Sequence, residues 1–296
     1  MQRTLKITGI VIGLLALFVP LSLSLSNYQQ KVKEQTIRDG LTALLAQEAV
    51  TAAEVSKYLD AHLGEVSAET AADMVRAFEQ VQQKTLPDWQ ELYAEPELQE
   101  RIRSFYHPSW TREEMARLAD EKTRMVLLST LDQGFKVETA EGSFFPIIDY
   151  TFYARYQSAV TPDLSSYLDL MTVESEALPV KDAALLIGWE ELVERALRQE
   201  EFLAEYPSSP QIEPVRRLLE RYRYFALFGC DNTPLFSYRT RQMRPEAREA
   251  YLNRQWDPQK GDFSALMKEY LTVLAANDYR LTAEVEAFRR KAVGFE

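Results

Sequence analysis

Two reciprocal helix-start signals, Thr51-Ala-Ala-Glu54 and Thr111-Arg-Glu-Glu114, constrain this chain more than any other feature. In such a box the threonine hydroxyl accepts from the backbone N–H three residues on, and the glutamate returns to the threonine's own N–H. A helix therefore starts at each. Apolar residues recur at helical spacing after both, and the same period returns through most of the chain. Residues 27–47 read as an amphipathic helix weakened by Gly40, and the Thr51 helix stops at Gly64. Ser67 opens a helix burying Met74, Val75, Phe78 and Val81 that is expected to end at Leu86-Pro87. The Thr111 helix is expected to bury Met115, Leu118, Met125, Leu128 and Leu131 in one stripe, closed by Gly134.

The period changes once. Phe135 to Thr139 and Ser143 to Ile148 flank Ala-Glu-Gly142, which reads as a β-hairpin that must lie against helices to be stable. Pro162 then begins a helix behind Thr161 that runs to about Leu178. The longest predicted helix covers Asp182 to Tyr206, with a stripe of Leu185, Trp189, Leu192, Val193, Ala196, Leu203 and Tyr206. Next comes a helix carrying Ile212, Val215, Leu218, Leu219, Tyr222 and Phe225, stopped by Gly229 ahead of an Asp231-Asn-Thr-Pro234 turn. Helices from Phe263 to Ala276 and from Ala283 to Val293, the latter capped by Thr282, close the chain. The expected fold is all-α: a multi-helix array or bundle of antiparallel helix pairs with one small β-hairpin near residues 135–148, behind an N-terminal hydrophobic leader. The expected domains are 1–26, the leader; 27–108, an N-terminal helical region ending among Pro87, Pro96 and Pro108; and 109–296, the main helical domain.

Met1 to Ser26 combines Arg3 and Lys6 with an apolar run from Ile7 to Leu25, interrupted by Pro20. It is the pattern of a secretory signal or a short uncleaved anchor. In both cases Arg3 and Lys6 stay inside and the rest lies outside the cytoplasm, secreted or held to the outer face of the cytoplasmic membrane by residues 7–25. Cys230 is the only cysteine, so no intramolecular disulfide forms and stability must come from packing. Following the aromatic run Phe225 to Gly229, it reads as a small buried hydrophobe. The formal charge of −11 argues against nucleic acid or anionic lipid as the main partner. The arginine clusters, Arg239 to Arg244 among them, read as solvated faces.

Several chemistries lack support. No pair of glycines is spaced to cradle phosphate. His62 and His107, the only histidines, stand far apart, so no His-based metal site or Ser-His-Asp triad is indicated. Asp257 to Asp262 lacks the alternating oxygens of a calcium loop and reads as a surface turn. No metal or cofactor is implied. The aromatic clusters Tyr150 to Tyr156 and Tyr222 to Phe228 read first as core, and alternatively as the wall of a groove. With the neighbouring turn they nominate Tyr150, Tyr153, Asp231 and Asn232 as a candidate ligand or partner surface.

The function expected is a non-catalytic binding or scaffold role in the cell envelope, with another envelope protein or a cell-wall component as partner. Membrane contact is confined to an uncleaved leader. A membrane-anchored regulatory protein is one alternative. Another comes from Leu170-Met-Thr-Val-Glu174-Ser175, which resembles the segment around the catalytic acid of lytic transglycosylases and goose-type lysozymes. That resemblance implies Glu174 as a general acid in glycan cleavage, where apolar surroundings raise a carboxyl's pKa. The Gly-Leu-Met-Gln-type segment that follows in the family is replaced here by Asp182 to Gly188, and Glu174 read alone is a solvated helix-end acid. The turn Phe202-Leu-Ala-Glu-Tyr-Pro-Ser-Ser-Pro210, followed by Val215, resembles the inter-repeat turn of exported tetratricopeptide-type proteins. It implies paired antiparallel helices in this half.

Overall fold

The computed structural model describes residues 28–294, so the expectations for Met1 to Ser26 lie outside it. The chain is mostly helical with small two-stranded sheets. Among the described residues no helix is long and apolar enough to cross a membrane. Contacts divide the chain into two compact units at Lys84/Thr85, where the sequence reading places its boundary at 108/109.

The first unit holds α1 (28–45), α2 (Ala52–His62) and the start of α3 (Ala68–Tyr93). Thr51 forms the expected capping box with Glu54. Gly64 does not stop α2; it sits in the 3-10 turn Leu63–Glu65 that follows. Gly40 in mid-helix has a packing reason: an added Cβ would lie 2.3 Å from the Tyr58 hydroxyl, which donates to the Ile37 carbonyl at 2.9 Å. The hydroxyls of Ser67 and Thr70 both donate to Glu34 Oε1, and these bonds hold the Glu34 carboxyl below its usual range.

In the second unit α3 continues through Pro87 instead of ending there. Pro87 is exposed, so the backbone bond it removes is lost on the wet side. The turns beyond it are held by Tyr93, fully buried with its hydroxyl 2.9 Å from that of Thr130. Helices α4 (Pro96–Phe105), α5 (Arg112–Ala116) and α6 (Glu121–Asp132) follow. Thr111 forms its capping box, but the single expected helix breaks at Asp120, which accepts from the Thr123 hydroxyl and starts α6 in a new register. Leu127 is buried, and Met125, expected in the core, is 63% exposed.

Strands β1 (Phe135–Ala140) and β2 (Ser143–Ile148) pair antiparallel as expected, through a Glu141-Gly142 turn with φ of 49° and 77°. Gln99 of α4 covers the free edge of β2. Its Oε1 accepts from Phe144 N–H at 2.9 Å and its Nε2 donates to the Phe144 carbonyl at 2.7 Å. The chain then runs through α7 (Pro162–Glu176), β3 (Val180–Lys181), β4 (Ala184–Leu185), α8 (Trp189–Glu205) and α9 (Ile212–Phe228). It ends with β5 (Gly229–Cys230), β6 (Thr233–Pro234), α10 (Pro245–Leu252), α11 (Asp262–Ala276) and α12 (Ala283–Ala292).

The expectation of one hairpin is corrected to three two-stranded sheets among the described residues. The segment expected to begin the longest helix, Asp182 onward, is instead the turn of β3–β4, with positive φ at Asp182 and Ala183. Long-range bonds hold it there. Asn232 N–H donates to Ala183 O at 2.9 Å and Asn232 Nδ2 to Asp182 O at 2.7 Å, while Leu185 N–H reaches the Thr233 hydroxyl at 3.2 Å. These tertiary partners override a local helical pattern.

The core of α8 and α9 follows the predicted stripes, with Leu192, Val193, Ala196, Val215 and Tyr222 fully buried. Three polar residues of α8, Arg195, Gln199 and Glu200, are buried with them. Glu200 accounts for its burial by capping α11: Oε1 accepts from Phe263 N–H at 2.6 Å and Ser264 N–H at 3.1 Å. Glu200→Ala strands those donors in the interior and should lower the unfolding free energy by about 3 kcal/mol. Urea denaturation measures this, and a loss below about 1 kcal/mol would refute the capping role.

Candidate functional site

Two hollows in the second unit collect polar and aromatic side chains. The first forms where α9 ends. Gly229 takes φ 73° and ψ −148°, and a Cβ there would lie 2.3 Å from the Thr233 carbonyl, so only glycine allows the chain to turn sharply into β5. That turn closes a cleft of about 390 Å³ whose walls include Tyr224, Phe228, Cys230, Tyr238, Arg241 and Arg289. Tyr224 stacks on Phe228 with centroids 4.8 Å apart and planes 15° from parallel. The Arg289 guanidinium lies 4.4 Å from the Phe228 ring centre, a cation–π contact. Tyr238 is 74% exposed, yet its hydroxyl donates to the Asp231 carbonyl at 3.1 Å, which fixes the ring's direction. Arg241, at φ 60°, donates from Nε and Nη2 to the Leu281 carbonyl at 3.1 and 3.0 Å. A neighbouring hollow shares Asp231 and Tyr238 and adds Asn232, Arg239 and Arg244.

The wall of the cleft is preorganised, since Tyr224, Phe228, Tyr238, Arg241 and Arg289 are each held by a ring or a carbonyl before any ligand arrives. Burial, and next the Asp231 carboxylate, push the Cys230 thiol up, away from the thiolate that reacts. Cys230 is a free, half-buried thiol.

The second hollow, of about 510 Å³, lies between α7 and α8 and includes Glu174 in its lining. Glu174 is not the solvated helix-end acid of the sequence reading. It is 9% exposed, accepts from the Tyr222 hydroxyl at 2.5 Å through Oε1, and lies 3.5 Å from Arg195 Nη1. Arg195, itself 3% exposed, donates to the Ala177 carbonyl at 2.8 Å and pairs with Glu191. Burial raises the Glu174 carboxyl above its usual range, although the Tyr222 and Arg195 bonds pull the other way.

The four residues nominated as a partner surface separate into two groups. Asp231 and Asn232 are exposed and line the hollows at the end of α9. Tyr150 and Tyr153 are buried, stacked at 5.2 Å, and tied to α7 by the Tyr150 N–H to Ser175 hydroxyl bond of 3.1 Å, so they offer no binding surface. The hairpin β1–β2 contributes no residue to these hollows. His62 and His107 each stand beside one glutamate, Glu65 and Glu114, and no group of three or more metal-ligating side chains gathers among the described residues. Sequence reasoning missed Tyr238, Arg241 and Arg195. The first two lay in segments without periodicity, and Arg195 sits at i+4 from Glu191, a spacing that reads as a surface pair. Compared with protein families, characterised proteins and solved structures, the chain matches none.

The raised Glu174 carboxyl makes a signed prediction about pH. The folded chain keeps a proton on Glu174 where the unfolded chain has already lost it, so this group weakens folding as pH rises from the ordinary carboxylate range through its raised value. The midpoint of thermal unfolding of Glu174→Gln, taken relative to the parent, should therefore climb with pH across that window and level off above it. A difference that is flat or falls with pH would contradict the assignment.

Proposed function

We propose that this chain is an exported, non-catalytic binding or scaffold protein of the cell envelope, and that it engages a partner through the tyrosine–arginine cleft at the end of α9. In this reading the paired helices are the rigid frame and the leader is the address. The observation that carries it is the cleft's chemistry: fixed Tyr and Arg side chains, the types that dominate interface energetics, around a thiol kept in its unreactive form. The partner is another envelope protein or a cell-wall component. A regulatory role tethered to the membrane is the same reading with the leader retained, and mass analysis of the mature chain distinguishes the two.

A second reading, a glycan-cleaving enzyme with Glu174 as general acid, draws on the placement of Glu174 in a hollow and its raised carboxyl. It requires purified protein to clear peptidoglycan and to lose that activity in Glu174→Gln.

For the preferred reading, full-length protein in detergent should retain a partner from its own cell envelope, and Tyr238→Ala should weaken that retention by about 30-fold. Tyr238 is largely solvent-exposed, so the variant should unfold within about 0.5 kcal/mol of the parent. Equal retention by both proteins, with folding unchanged, would remove the cleft from the proposal.

A further inference from the structure

The hollow between α7 and α8 has a charge and donor balance unlike that of the cleft at Tyr238, and no residue lines both. Its lining carries the carboxylates Asp169, Glu174, Glu201 and Glu205 against the guanidiniums Arg195 and Arg198. Arg195 is shared between Glu174 and Glu191, and Arg198 pairs with Glu194 outside the lining, so two guanidiniums do not balance four carboxylates. The hollow is an anionic site with a surplus of acceptors.

Two buried acceptors sharpen this. Glu174 Oε1 is taken by Tyr222 and Arg195, which leaves Oε2 as the atom able to meet a ligand. Gln199 stands one helical turn beyond Arg195 on the same face of α8, is 1% exposed, and its Oε1 has no hydrogen-bond partner. A buried acceptor left unpaired costs about 1–3 kcal/mol, so an occupant that donates to it gains affinity at this point. A neutral polyol would leave the carboxylate surplus uncompensated. A guanidinium recognises carboxylates through two parallel bonds and so wants both oxygens free, but Oε1 is occupied. A divalent metal needs several oxygen ligands in one shell, and no such group gathers among the described residues. An ammonium group, a compact charge with three donors, meets each condition. Leu170, Val173 and Phe202 supply apolar wall for the stem that would carry it.

We propose that this hollow binds a primary ammonium group on a short aliphatic stem, with Glu174 Oε2 as counter-ion and Gln199 Oε1 as second acceptor. The chemistry is shared by a free alkylamine and by a lysine side chain of a polypeptide. Calorimetric titration of the full-length protein with hexylamine, N-acetyl-lysine amide and hexan-1-ol tests the idea. Saturable binding of hexylamine or of N-acetyl-lysine amide, with none of hexan-1-ol, supports it. Binding of the lysine derivative assigns the source to a polypeptide side chain, and binding of hexylamine alone assigns it to a free amine. Glu174→Gln should weaken the amine by about tenfold. Because that change also disturbs the Arg195 cluster, Gln199→Met is the companion variant. It leaves the Glu174–Arg195–Tyr222 bonds in place and should weaken the amine about threefold or more. Failure of both amines to bind, equal binding of hexan-1-ol, or unchanged affinity in a folded Gln199→Met protein would overturn the proposal. None of these results bears on retention of a partner at Tyr238.

Discussion

The second unit is organised around one buried guanidinium. Arg195 lies inside the helical core, where an unpaired charge is untenable, so its neighbours must supply acceptors from several directions. Glu191 does so from its own helix, the Ala177 carbonyl from the end of α7, Glu174 from α7, and the Tyr222 hydroxyl, at 3.5 Å, from α9. Apolar contacts alone let helices slide by a fraction of a turn at small cost. A shared carboxylate, hydroxyl and guanidinium do not, because their bonds lengthen past usefulness within about half an ångström. The Arg195 cluster therefore sets the register of three helices, and both hollows inherit their geometry from it.

The cleft at the end of α9 shows how. Tyr222 points inward to Glu174, and Tyr224, two residues on, is turned about 200° around the helix axis and emerges in the aromatic wall. Fixing one ring by a buried hydrogen bond thus aims the other at solvent. The same helix ends at Gly229, whose conformation no other residue adopts without meeting Thr233, and the hairpin that follows carries Asp231 and supports Tyr238. A residue deep in the core and a side chain largely in water belong to one mechanical chain.

What was legible in the sequence was local. The capping boxes at Thr51 and Thr111, the Thr282 cap, the hairpin at Glu141-Gly142 and the stop at Gly229 all rest on interactions within about four residues, and all formed. The failures rest on partners far away in the chain. Asp182 to Gly188 carries a helical pattern, but Asn232 and Thr233 provide hydrogen bonds that a helix there would forgo. Pro87 reads as a stop because the sequence does not reveal that it faces water while Tyr93 beyond it is buried. Helix α10 went unread because its buried residues, Ala247, Ala250 and Tyr251, are too few to declare a period. The candidate site suffered most. Periodicity counts apolar residues, so a buried Arg195, Gln199 and Glu200 look like the wet face of α8, and Glu174 looks like a solvated helix end. Tyr150 and Tyr153 failed in the opposite sense, since an aromatic cluster suited to a groove is also suited to a core in a chain without a disulfide.

Charge adds a last constraint on how the tyrosine–arginine cleft can work. The whole chain carries −11, while Arg239, Arg241, Arg244 and Arg289 gather around the cleft and its neighbour. At physiological ionic strength a field decays over about 8 Å, so these arginines do not overcome the acidic body to draw an anionic partner from a distance. Arg241 and Arg244 are tied to backbone carbonyls, which orients their remaining N–H groups without removing their charge, while Arg289, stacked on Phe228, is already paired with Glu286. Their effect is confined to contact. In the proposed reading, recognition at this surface would be governed by the fit of aromatic planes and the direction of a few donors, and its affinity would be set by the rate at which the partner leaves rather than the rate at which it arrives.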